Sequence, residues 1–195
     1  MIIFQYSFLE FGDTNMTREE QAKCILYDCG LLEELSKYGT PHIIGSYRMG
    51  MMAWNDLDID IENEKMSLDK LYHLSQFIID RFHPTWYEAK EEINSQNKTV
   101  WFQGFEALIE NELWNVDLWF FDKDTIKLAE ESCDKIVRQV KNLPSSKELI
   151  IQLKKELIAR KLYSFDQYTS TDVYDAVLNQ HITNLENFLA NYRRN

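Results

Sequence analysis

Apolar and polar residues change rhythm several times along the chain, and each change predicts an element. Thr17 opens a helical pattern, with Glu20 three residues on as its capping-box partner. Ala22, Ile25, Leu26, Leu31 and Leu32 continue the apolar stripe, and Gly39 and Pro41 close it. A short strand is expected at His42-Ile43-Ile44, running into Gly45-Ser46, followed by a short Met-rich helix over 47–54. From Asp56 the period becomes two: Asp56, Leu57, Asp58, Ile59, Asp60, Ile61, Glu62. That alternation predicts a strand with one apolar and one acidic face.

Helical spacing returns from Ser67 to Phe82 through Leu68, Leu71, Leu74, Ile78 and Ile79. Two strands are expected around 85–93 and 99–109, joined as a hairpin by the polar Asn94-Ser95-Gln96-Asn97. Leu113 to Phe121 reads as a further strand. After Asp124 the pattern is helical throughout: one helix to about 141, a second from Ser145 with Glu148 as capping box, and a third over 171–192. The fold class is therefore α/β (α+β): a mixed twisted sheet with flanking helices over 1–123, then a helical bundle over 124–195.

Composition narrows the class. Of 195 residues 45% are hydrophobic and 13% aromatic, with 6 Gly and 3 Pro, which excludes collagen-like and loop-dominated chains. The charge balance, 21 Lys and Arg against 32 Asp and Glu, gives a net charge of −11. Phosphate contacts along a nucleic acid need the opposite sign, so nucleic acid is disfavoured as a partner. The three cysteines, Cys24, Cys29 and Cys133, have neither disulfide-framework nor zinc-ribbon spacing and point to a reducing compartment. Met1 to Tyr6 lacks a signal peptide's positive charge, and no stretch reaches the ~20 apolar residues of a membrane span. A cytoplasmic protein without a membrane partner is expected.

The chemistry concentrates between Ile44 and Ile61. Asp56 and Asp58 lie two apart on a strand, so both carboxylates leave one face. Hard oxygen donors of that kind suit Mg²⁺, and two such ions can clamp the attacking and leaving oxygens of a nucleotidyl transfer. Gly45 permits close approach of backbone to a triphosphate, and Ser46 opens a short helix whose amides favour an anion. An acidic strand face is ordinarily just a solvated face. Three like charges along one face repel, however, and call for solvent or a cation. A calcium loop counted from Asp56 would need Gly and Glu where Ile61 and Ser67 stand, so it fails. Asp117 is the only charge in Leu113–Phe121, where a buried carboxylate needs a metal, a base or a hydrogen-bond network.

Together these residues resemble the polymerase-beta-like nucleotidyltransferase superfamily: an apolar residue, Gly-Ser, nine intervening residues, Asp-apolar-Asp-apolar, and a third acid on a later strand. The likeness covers roughly 41–121, and the α/β half followed by helices resembles the small antibiotic (aminoglycoside and lincosamide) nucleotidyltransferases. The resemblance implies an Mg²⁺-dependent enzyme, with two ions, that moves a nucleoside monophosphate from a nucleoside triphosphate to a hydroxyl of a small-molecule acceptor and releases pyrophosphate. It places Gly45, Ser46 and Arg48 at the nucleotide. Asp56, Asp58 and Asp117 become metal ligands, with Asp117 also the catalytic proton acceptor.

Two departures stand out. Members often carry Arg or Lys just before the second Gly of the loop, where this chain has Met49 and its base one place earlier, at Arg48. Asp60 continues the alternation, so Asp58 and Asp60 are an alternative metal pair; Asp56 and Asp58 lie nearer the Gly-Ser turn and are preferred. His42, His73, His83 and His181 show no ligand spacing. Met49, Met51, Met52 and Trp54 read as core packing under the short helix, and Arg160-Lys161 as a complement to a helix end. The net charge would steer a cationic acceptor toward the chain, and a homo-oligomer stays open. A catalytically inactive nucleotide-binding module and a protein that docks a basic partner on its acidic strand are the rival readings.

Overall fold

The computed structural model describes residues 16–94 and 97–193. Thr17 caps α1 (Arg18–Lys23), its hydroxyl accepting from the Glu20 amide while Glu20 reaches back to the Thr17 amide. The expected single helix to Gly39 is instead three pieces. A π-helical turn, Cys24–Asp28, follows α1, with the Cys29 amide bonded to the Cys24 carbonyl at 2.8 Å. Gly30, left-handed at φ 78, then redirects the chain into α2 (Leu31–Leu35). The wider turn and the glycine reset the phase of the apolar stripe, so Ile25, Leu26, Leu31 and Leu35 all enter the same core.

Strand β1 (Thr40–Ile43) leads into α3 (Gly45–Arg48), and β2 spans Asp56–Glu62. The Met-rich helix expected over 47–54 is thus one turn that begins and ends earlier. Gly50, at φ 65, stops it, and Met51 and Met52 run on without helix. Ser67 caps α4 (Leu68–Phe82). The hairpin β3 (Trp86–Ile93) and β4 (Thr99–Ile109) matches the expected pair, although Ser95 and Gln96 of its turn lie outside the described residues, as does the stretch Met1 to Tyr6. Strand β5 covers Glu112–Phe121.

The five strands form one mixed sheet in the order β1-β2-β5-β4-β3. Strands β2 and β5 are parallel, and the other pairs are antiparallel. Period-two alternation sorts the faces. Leu57, Ile59, Ile61, Val116, Leu118 and Phe120 point into an apolar cluster closed by Leu71, Leu74 and Ile78 of α4. The opposite face carries the aspartates.

Four helices follow: α5 (Lys123–Asn142), α6 (Ser145–Ala159), α7 (Ser170–Leu178) and α8 (Leu185–Asn191). The capping box expected at Ser145 and Glu148 does not form. Pro144 occupies the cap position with helical dihedrals and offers no acceptor, while Ser146 donates to the Leu143 carbonyl at 2.6 Å. The helix expected over 171–192 is broken between α7 and α8, where His181 turns left-handed at φ 55 and Asn184 starts a new helix by accepting from the Asn187 amide.

Ile150, Leu153, Leu157, Val173, Val177 and Phe188 build a second apolar cluster. The Met run serves both clusters: Met51 lies in the helical cluster and Met52 in the sheet cluster, while Trp54 is 36% exposed rather than core. Helix α5 packs on β2. Among the described residues no helix is long and apolar enough to cross a membrane.

Candidate active site

Parallel pairing of β2 with β5 sets Asp58 directly beside Asp117 and Asp56 beside Asn115. All four side chains therefore leave the same face. Asp56, Asp58 and Asp117 each offer a carboxylate oxygen, and these atoms lie within 4.8 Å of one another. Asn115 Nδ2 donates to Asp56 Oδ1 at 2.8 Å and fixes that carboxylate's orientation.

Burial, with mutual repulsion second, raises the proton affinity of these carboxylates. Burial pushes Asp56 and Asp58 above the usual carboxylate range, and at Asp56 the charge of Asp58 adds to the effect. Asp117 is pushed up to about 6, first by burial and then by Asp58. Asp60 follows on the same strand face but lies outside this group. It is 2% exposed, opposite His42 of β1, and is pushed up to about 7 by burial, then by Asp58 and Glu130.

Gly45 abuts the carboxylates so tightly that no other residue fits. A Cβ there would stand 1.9 Å from Asp58 Oδ2, and the backbone is left-handed at φ 66. Ser46 is buried in the turn that follows. Arg48 is not brought to the carboxylates: its guanidinium donates to Glu130 at 2.9 Å and to Asp134 at 3.0 Å, both on α5. His42 Nδ1 joins the same Glu130 at 3.2 Å. Arg48 thus ties the Gly-Ser turn to the first of the C-terminal helices.

Two residues of this site escaped the sequence reading. Asn115 was legible only through the parallel register, which no local pattern states. Lys154 had a signal. On α6 it falls at a position of the Ile150, Leu153, Leu157 stripe where the period calls for an apolar residue. Lys154 is 1% exposed, and its ammonium donates to the Tyr174 hydroxyl at 3.2 Å. Burial pulls it down to about 8 against the opposing attraction of Asp56 and Asp58. Tyr163, hydrogen-bonded to Ser170, also feels both aspartates; burial first, and then their charges, push its phenol up to about 12. The helical half therefore sets an ammonium and a phenol within electrostatic reach of Asp56 and Asp58.

No family model and no curated protein matches this chain. Solved structures do. The Cid1 poly(U) polymerase with Mg and 3'-dATP bound superposes with a TM-score of 0.59 at 16% identity, over 84% of this chain and 50% of that one. The MgATP-bound H336N mutant of the same polymerase gives 0.60 at 14% identity, over 87% and 52%. The non-canonical poly(A) polymerase complex GLD-2–GLD-3 gives 0.51 at 13%, over 93% and 61%. The chain spans about half the length of the poly(U) polymerase. These neighbours are poly(U) and poly(A) polymerases, and a likeness at 13–16% identity shows the fold alone. The five-stranded mixed sheet with flanking helices matches the nucleotidyltransferase fold, and this chain carries an acidic triad on the parallel pair of that sheet.

Proposed function

We propose that this protein is a magnesium-dependent nucleotidyltransferase that moves a nucleoside monophosphate from a nucleoside triphosphate to a hydroxyl of a small-molecule acceptor. The convergence of Asp56, Asp58 and Asp117 within 4.8 Å on two parallel strands carries the reading. Carboxylates are hard oxygen donors of the kind magnesium takes. Their oxygens lie within 4.8 Å of one another, close enough to share cations, and two ions at such a site can clamp the attacking and leaving oxygens. Bound there, magnesium supplies neutralisation of the charge that builds on the transferring phosphoryl group.

The chain's own residues do the rest. Gly45 brings the backbone of the turn against Asp58, where any side chain would collide with the carboxylate, and the ammonium of Lys154 is attracted by Asp56 and Asp58. The acceptor oxygen bonds to the α-phosphorus, the bond from that phosphorus to the bridging oxygen breaks, and pyrophosphate leaves with the electron pair. The hydroxyl proton passes to Asp117. Positioning and charge stabilisation account for most catalysis of this kind.

One observation favours a second reading, a module that binds nucleotide without turnover. Arg48, the basic residue of the loop, is already engaged by Glu130 and Asp134. Pyrophosphate release separates the two. Release should require Mg²⁺ and fall by about 100-fold or more in Asp58→Asn, as expected for loss of a charge-stabilising group. Asp60→Asn should be much milder. Mg²⁺-dependent triphosphate binding without any release would favour the inactive module.

A further inference from the structure

Cys24 and Cys29 are five residues apart, a spacing that an ordinary helix keeps separate. At 3.6 residues per turn their side chains would stand about 140° round the axis from each other. The π-helical turn Cys24–Asp28 winds more slowly and carries residue i+5 over residue i. The two sulfurs therefore meet at 3.9 Å, and both thiols are free.

The backbone beneath them is held from several sides. The Cys29 amide donates to the Cys24 carbonyl at 2.8 Å. Arg81, in the last turn of α4, donates from Nε to the Cys29 carbonyl at 3.0 Å and from Nη2 to the Asp28 carbonyl at 3.3 Å. Ile25 and Leu26 anchor the turn in the sheet core, and Gly30 ends it. A disulfide needs its sulfurs at about 2.05 Å. Rotation of the two side chains covers that gap while the turn keeps its backbone.

The thiols differ in access. Cys24 is buried, at 4% exposure, whereas Cys29 is half-buried. Burial first, then Cys29 itself, pushes the Cys24 thiol up to about 12, with Asp28 and Glu110 adding to the rise. Cys29 is thus the thiol that an oxidant meets first. Its conversion removes the Cys29 hydrogen bond and charge that help to hold the Cys24 proton. The nearby carboxylates of Asp28 and Glu110 repel an anionic reagent and attract a cationic one.

We infer that Cys24 and Cys29 are a redox modification site, which a small cationic disulfide converts to an intramolecular bond. The Cys29 thiolate attacks one sulfur of the reagent, the reagent's S–S bond breaks, and a thiolate leaves with the electron pair. Cys24, its proton lost to solvent, then attacks the Cys29 sulfur of the mixed disulfide and expels the second thiolate. Two protein thiols are oxidised to one disulfide, and the reagent, reduced to two thiols, takes up the two protons. The bond spans the same two residues as the amide hydrogen bond and staples the π turn. In a reducing compartment it is transient. The site is independent of the transferase reading.

The folded full-length chain is treated with cystamine, quenched with acid, then unfolded and labelled with N-ethylmaleimide. Untreated protein should take three labels, one per cysteine. Treated protein should take one, on Cys133, with Cys24 and Cys29 recovered in a single tryptic peptide lacking two hydrogens. Dithiothreitol should restore all three. Anionic glutathione disulfide should react about tenfold more slowly at low salt, with the gap closing at high salt. Cys24→Ser should stop at a mixed disulfide on Cys29, and Cys29→Ser should leave Cys24 unmodified. The oxidised parent should melt about 4 °C or more above the reduced form. Three labels after treatment, or a mixed disulfide on Cys29 beside a free Cys24 in the parent, would overturn the inference. So would a bond that forms only in denaturant, a lower melting temperature after oxidation, or equal rates with the two reagents at low salt.

Discussion

A lysine with 1% of its surface exposed is costly to keep charged, and Lys154 keeps that position with a phenol as its hydrogen-bond partner. Packing does not explain the choice, because a methionine would fill the same stripe of α6 without an ammonium to desolvate. Replacing a whole buried ion pair by apolar volume is often neutral or stabilising, whereas removing one partner leaves the other's charge uncompensated. Lys154→Met takes its attraction away from Asp56 and Asp58, so at neutral pH it should melt below the parent, and the KM for triphosphate should rise by about tenfold or more, the loss of one charge-assisted contact. Denaturant melts and initial rates check the two halves of that expectation. A variant that unfolds readily yet keeps its KM would make Lys154 a structural residue.

At the scale of elements, the turn from β1 into α3 has the least tolerance for change. Gly45→Ala places a methyl on Asp58 Oδ2 in a left-handed backbone, so the turn must move or the carboxylate must swing away. The conformational cost alone is about 1–2 kcal/mol, and a denaturant melt should register at least that much together with loss of transfer activity. A parent-like melt would mean that the turn is loose. Strands β2 to β5 and helices α4 and α5 were legible because periods of two and 3.6 run unbroken through them. The π-helical turn at Cys24–Asp28 was not, since its apolar residues fit an ordinary helix until Gly30 shows the phase change. The break between α7 and α8 was hidden likewise: Asn184 is a good cap, yet apolar spacing continues past it. Of the site, the Asp pair and Asp117 stood out as charges in apolar surroundings. Asn115 needed tertiary register, because its partner lies on another element, whereas Lys154 showed only as a charge in the apolar stripe of α6.

Over the whole molecule, the gathered acids make stability depend on pH in a direction of its own. Asp117, near 6, and Asp60, near 7, both bind protons more tightly folded than at their ordinary value of 3.8. Folding then takes up protons between those values, so metal-free stability falls as pH rises from about 4 to about 7. Asp122, lowered to about 2 by its Lys98 and Thr125 hydrogen bonds, acts oppositely and only below about 4. The melting temperature of metal-free protein should thus decline from about pH 5 to about pH 7.5, and Mg²⁺ with a triphosphate should flatten that decline. A metal-free profile that rises across the same range would contradict the crowding of carboxylates described here.

The most direct measurement is a thermal melt at neutral pH with and without Mg²⁺ plus a nucleoside triphosphate, on the parent chain and on Asp58→Asn. A ligand that binds only the folded state stabilises it by about 2.7 kcal/mol at a hundredfold excess over Kd. The parent should therefore show a clear rise in Tm with both components and a smaller one with either alone. Asp58→Asn should start no lower than the parent, because one repelling charge is gone, and should show no response. A variant with a lowered baseline and an intact nucleotide response would contradict the account and leave the acidic face of β2 as solvated surface.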